Sequence, residues 1–241
     1  MNRIFVGLLL LVTSAFLGGC SSTTPCYEEC YIRPIAPSQP RHRIPQQPQL
    51  PSKPLAKITI DPGHGGKDAG ALSLSKPVTN EKTLNLDAAR LVQTNLRRKG
   101  FETTMTRKDD TFISLDGRAS QANEEKADYF ISVHFNSAPA PKAHGVEVFY
   151  YESKENPERS KASKALAQAV LDRIIETTGA KSRGVKHGNF AVIRKTKMPA
   201  ILVEGGFMTH EEEMTKLRDP AYLQKIANGI SQGIEEYQKK N

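Results

Sequence analysis

The chain contains no tryptophan, and aromatic residues make up only 7% of it. Three cysteines among 241 residues are too few for a small disulfide-stapled scaffold, while the length is enough for one sizeable core with attachments. The charge of +8 at pH 7 lacks the grouping that marks nucleic-acid binding, because lysine and arginine are scattered through helical stretches and not clustered with aromatics. The expected partner is an acidic polymer or a membrane surface, with no nucleic acid. Internal repeats are absent too.

One apolar run stands out, in "MNRIFVGLLLLVTSAFLGGC". It is short for a membrane span, and Arg3 ahead of it with two glycines and a cysteine behind it gives the layout of an export signal. "LGGC" resembles the lipobox of bacterial lipoproteins, so residues 1–19 are read as a signal peptide and Cys20 as the lipidated residue that anchors the mature chain. Cys26 and Cys30 flank "YEE"; they could pair in an oxidising compartment, but this spacing alone assigns neither a bridge nor a metal. Residues 20–54 read as a tether. Prolines at 34, 37 and 40, then 45, 48, 51 and 54, match the three-residue turn of polyproline II and leave nothing to build a core.

From residue 55 the texture becomes a folded domain running to 241. "AKITID", "FETTMT", "ADYFISV", "GVEVFYY", "NFAVI" and "AILVE" read as strands. Helices are expected after Asn80, after Ser114, from about Glu158 to Thr178 with Gly179 as the stop, and from about Pro220. Strands alternating with helices predict a single three-layer α/β domain: a mostly parallel mixed sheet of about six strands, covered by helices on both faces.

In that architecture His64, His134 and Glu204 fall at the carboxyl ends of strands and Glu81 opens a helix, so all four can meet in one cleft. Two histidines and a carboxylate are a sufficient protein set for catalytic zinc. Each residue alone has a plainer reading: Glu81 suits a helix N-terminus, and His134 could be a satisfied core histidine. His64 is harder to dismiss. It sits in "PGHGGKDAG", where four glycines carry an entropic cost that no core requires. Glu204, ahead of Gly205 and Gly206, closes an apolar strand with a charge that needs a partner or water.

The blocks "ITIDPGHGGKDAGA", "NEKTLNL", "DGRASQANEEKADYFISVHFNS", "GVEVFYY", "RGVKHGNFAVIRKTKMPAILVEGGF" and "IANGISQGIEEY" together resemble the zinc-dependent N-acetylmuramoyl-L-alanine amidases of the amidase-3 type, across residues 57–238. The resemblance implies Zn2+ on His64, Glu81 and His134, with Glu204 as general base toward an activated water. It also implies a peptidoglycan hydrolase that cleaves the amide between N-acetylmuramic acid and the L-alanine of the stem peptide, in wall remodelling at division. With the lipidated Cys20, the protein would be exported and membrane-anchored, facing the periplasm or cell-wall space; the oligomeric state is open, a monomer being favoured. Some relatives carry an extra helical segment whose glutamate covers the zinc. Here only residues 152–163 follow the equivalent strand, too few for such a plug, so an open cleft is expected.

Other chemistries leave fewer marks. H-E-x-x-H is missing, and Lys67 stands three residues after His64, where an H-x-x-E motif needs glutamate. "SLSK" satisfies the S-x-x-K pattern of serine-type D-Ala carboxypeptidases through Ser73 and Lys76, and its loop between His64 and Glu81 puts it near the same cleft; S-D-N and K-T-G are absent. A non-catalytic wall-binding lipoprotein would not need a complete metal set with its base.

Overall fold

A computed structural model describes residues 53–140 and 142–241. The signal peptide, Cys20, Cys26, Cys30 and nearly all of the tether lie outside the described residues. Six strands form one sheet: β1 (Lys57–Pro62), β2 (Glu102–Met105), β3 (Tyr129–Asn136), β4 (Val146–Tyr150), β5 (Ser182–His187) and β6 (Ala200–Phe207), in the order β2-β1-β3-β6-β4-β5. All neighbours run parallel except β4 against β6. Ile58, Ile60, Ile131 and Val203 are fully or almost fully buried, as expected of central strands covered on both faces.

Helices make the outer layers. On one face, α1 (Glu81–Arg98), α3 (Pro157–Thr178) and α6 (Pro220–Lys240) bury the large core. Leu84, Ala88, Val92 and Leu96, spaced four apart, form the inward stripe of α1. On the other face a smaller cluster joins Phe130 and Leu202 to Ala122 of α2 (Leu115–Glu124) and to Val192 and Ile193 of α4 (Ala191–Arg194). A short α5 (Glu211–Leu217) precedes α6. Among the described residues no helix is long and apolar enough to cross a membrane.

Three expectations need correction. "NFAVI" is not a strand: Val192 and Ile193 are buried as one helical turn, and the buried Arg159 donates to the carbonyls of Ile193 and Thr196 to fasten it. The fifth strand lies earlier, in "SRGVKH", an edge strand with no fully buried residue and hence no apolar signature. Asn80 occupies the N-cap position of α1 but its side chain makes no capping bond, whereas Ser114 accepts from Gly117 N–H at 3.1 Å as anticipated. Strands β3 and β6 also extend past His134 and Glu204, which therefore sit inside them, beside a register shift between His134 and Asn136.

Candidate metal centre

The glycines around His64 are explained by their neighbours. A side chain at Gly63 would collide with the imidazole of His134, and one at Gly70 would meet the Glu81 carboxylate at 2.6 Å and the His64 ring at 2.7 Å. Close approach of three functional side chains is what their absence permits. His64 itself adopts φ 60°, a left-handed conformation that turns the chain directly after β1.

His64, Glu81 and His134 offer ligand atoms that all lie within 4.8 Å of one another. His64 Nε2 is 3.1 Å from Glu81 Oε2, and His134 Nδ1 is 2.9 Å from Glu81 Oε1. Burial would raise the Glu81 carboxyl, but hydrogen bonds from His134 and His64 hold it far below the ordinary carboxylate range. His64 is raised: burial opposes its charge, and the carboxylates of Glu81 and Asp68 outweigh that. Two imidazoles and an ionised carboxylate converging on one point fit a divalent metal ion with nitrogen and oxygen ligands.

Residues that local sequence did not single out hold these three in place. His64 Nδ1 donates to Asp68 Oδ2 at 2.8 Å, which orients the ring and leaves Nε2 facing Glu81. Ala71 N–H donates to Glu81 Oε2, and Asn85 Nδ2 donates both to Glu81 Oε1 and to the carbonyl of Gly63. Arg107 bridges the two ligand segments: its Nη2 donates to the carbonyl of Gly63, just before His64, and to that of Lys82, just after Glu81. Arg118 pairs with Asp61 at 2.8 Å and donates to the carbonyls of Pro62 and His64. Asp68 and Asn85 stand four residues from His64 and Glu81 and could have been found locally; the signal for Arg107 and Arg118 is weak in sequence, because they link segments far apart along the chain and most of their acceptors are backbone carbonyls, which no residue type announces.

Glu204 pairs directly with His134 across β3 and β6. Its Oε2 is shut off from solvent and, among the described residues, has no hydrogen-bond partner. Burial, followed by the charges of Glu81 and Glu147, raises its carboxyl well above the ordinary value. A half-buried carboxylate with one oxygen shut off and unpartnered, next to a metal-ligand set, is poised to take up a proton. The four residues line one cavity of about 520 Å³, whose wall also includes Ile113 and the exposed apolar side chains Phe112, Leu115 and Phe190.

Ser73 does not join them. It is 4% exposed, its Oγ donates to the carbonyl of Ser75 and accepts from Thr79 N–H and Arg218 Nη2, and it is absent from the cavity wall. The expectation of a serine nucleophile near the cleft gives way to a fastening point for the 71–80 loop, whose four-residue motif matched by its letters alone. His187 accepts from Glu152 N–H, His210 caps α5, and His144 lies against His210 with ring centroids 5.0 Å apart; none of the three lines the cavity. Glu152 and Glu155 are exposed and also lie outside its wall.

A family profile described as N-acetylmuramoyl-L-alanine amidase matches residues 58–236. The chain is 36% identical over 180 residues to the N-acetylmuramoyl-L-alanine amidase LytC of Bacillus subtilis, covering 75% of this chain and 35% of that protein. It is 34% identical over 181 residues to the probable cell wall amidase LytH of Staphylococcus aureus, covering 75% and 57%. The chain thus spans between about a third and somewhat over half of the length of these two relatives. Among solved structures, the catalytic domain of CwlV, an N-acetylmuramoyl-L-alanine amidase from Bacillus (Paenibacillus) polymyxa var. colistinus, superposes with a TM-score of 0.70 at 38% identity, covering 77% of this chain and 99% of that one.

Proposed function

Because the chain belongs to the amidase-3 family of N-acetylmuramoyl-L-alanine amidases, we propose that its cleft hydrolyses the amide joining the lactyl group of N-acetylmuramic acid to the L-alanine of the peptidoglycan stem. The observation that carries this reading is the convergence of three ligand atoms within 4.8 Å beside a buried, unpartnered carboxylate oxygen of Glu204. His64, Glu81 and His134 would hold the metal, for which zinc suits the donor set. A Zn2+ ion there would polarise the scissile carbonyl as a Lewis acid and acidify a water enough to make it a nucleophile near neutral pH.

The remaining work belongs to side chains. Glu204, whose side chain lines the cavity, takes the proton of the attacking water and returns it to the departing L-alanine nitrogen, so that the amine leaves neutral. Asp68 keeps the His64 ring turned with Nε2 inward, and Arg107 keeps the His64 and Glu81 segments at a fixed separation. Phe112, Leu115 and Phe190 limit water access at the rims and offer apolar faces to the substrate.

The lipid on Cys20 and the tether to residue 54 would keep this domain, residues 55–241, at a membrane while it works on the wall outside, in remodelling at division. Mass analysis of peptidoglycan fragments, with and without chelator, tests the reaction. Chelator-sensitive release of stem peptides that begin at L-alanine is expected; intact amide bonds, or loss of a terminal D-alanine alone, would overturn it.

A further inference from the structure

Next to Glu204 lies a second buried carboxylate that the reaction does not use. Glu147 on β4 stands opposite Glu204 on β6, so their side chains leave the same face of the sheet. The Glu147 side chain is 5% exposed and receives three donors: Asn136 Nδ2 at 2.6 Å, Arg183 Nε at 2.9 Å, and Lys186 Nζ. Two cations on one carboxylate leave one positive charge of this cluster uncompensated by Glu147. Arg183 and Lys186 keep 29% and 40% of their side-chain surface exposed, so their positions are fixed from below while solvent reaches them from above.

Two contacts tie this group to the cavity. Asn136 is part of the cavity wall, and Phe149, paired with Lys186 across β4 and β5, meets the cavity-lining Phe190 at a centroid distance of 5.0 Å. The cavity wall also has an apolar stretch of Phe112, Ile113 and Leu115, where Lys67 lies over the Phe112 ring at 4.6 Å.

We propose that Arg183 and Lys186 form a prearranged subsite for a carboxylate of the stem peptide, so that the peptide leaves the metal centre past Glu204 toward β5. The proposal rests on the amidase reading above. The chemistry of the substrate favours peptide over glycan at this subsite: the lactyl carboxyl is consumed in the amide to be cut, so the free carboxylates of a muropeptide lie on its peptide part. Cations already held by Glu147 lose little side-chain freedom on binding, and charge-assisted hydrogen bonds are among the stronger ones available.

The test uses the full chain with zinc and two soluble muropeptides, one with free stem carboxylates and one with these amidated. The wild type should prefer the free acid about tenfold in kcat/KM, the difference falling on KM. Lys186→Gln, on an edge strand where Glu147 retains Arg183 and Asn136, should bring the preference close to parity, Lys186→Arg should restore it, and Lys67→Gln should leave it in place. Equal kcat/KM for both peptides in the wild type, or a full preference in Lys186→Gln, would overturn the subsite. Cleavage of neither peptide would overturn the amidase reading first, and the subsite with it.

Discussion

Replacing Arg118 by methionine removes a guanidinium while keeping much of the side chain's apolar stem, and the surroundings set what that should cost. The side chains of Arg118 and Asp61 are 2% and 1% exposed. Arg118 Nη1 donates to Asp61 Oδ1 at 2.8 Å and to the Pro62 carbonyl at 2.7 Å, Nη2 to the His64 carbonyl at 2.6 Å, and Nε to the Ile113 carbonyl at 2.9 Å. After the substitution Asp61 would keep only neutral hydroxyl donors, from Ser132 and Thr106. Breaking a buried ion pair from one side costs about 3–5 kcal/mol, and the carbonyls that lose their donor favour the upper end. Folded domains are stable by only about 5–15 kcal/mol, so the loss is a large fraction of the total. In urea the midpoint should fall with an unchanged slope, and the melting temperature should drop by roughly 10 °C. Since Arg118 also holds the His64 carbonyl, zinc affinity should fall in the protein that remains folded. Lys195→Met, which breaks an exposed pair with Asp116, should barely move the midpoint and serves as the comparison. A loss below about 1 kcal/mol for Arg118→Met would refute the reasoning that this pair braces the histidine loop.

Four further outcomes are expected. Alanine at His64 or His134 should abolish zinc binding and hydrolysis together, whereas Glu204→Gln should retain stoichiometric zinc and lose about 10²–10⁴ in turnover; full activity in Glu204→Gln would remove it as the base. The Glu147 carboxyl is held below its ordinary value of 4.5, since bonds from Lys186 and Arg183 outweigh burial. Its contribution to stability is therefore present above that pH and fades as pH falls through the lower folded-state value, so Glu147→Gln should flatten the acid side of the stability curve, and an unchanged acid limb would contradict this. Cys20→Ser should move the protein from the membrane fraction to the soluble one, and unchanged fractionation would favour an uncleaved apolar anchor. Hydrolysis should need zinc but no activating protein; a chain silent until a partner is added would argue against an open cleft.

Much of the architecture could be read locally. Strand alternation, the four-residue stripe of α1, the Ser114 cap and the stop at Gly179 each depend on neighbours within a turn or two. The failures have a common cause. "SRGVKH" is an edge strand whose partner β4 supplies the order that its own residues do not encode, and "AVI" becomes helical because Arg159 and the small cluster under the sheet bury that turn. Ser73 matched a catalytic motif by spacing, but Arg218, distant in sequence, claims its hydroxyl.

By itself, the sequence determined which chemistry is available: His64, Glu81, His134 and Glu204 carry functional groups whose nature does not depend on the fold, and the glycines beside His64 and Glu204 already marked close approach there. Tertiary structure alone decided how those groups are tuned and aimed. Arg107 and Arg118 grip backbone carbonyls that every residue possesses, and Glu147 meets Glu204 only because β4 runs antiparallel to β6. A hydrogen bond to a backbone carbonyl or a pairing across strands leaves no period in the chain, so it exists as information only once distant segments are brought within about 3 Å of one another.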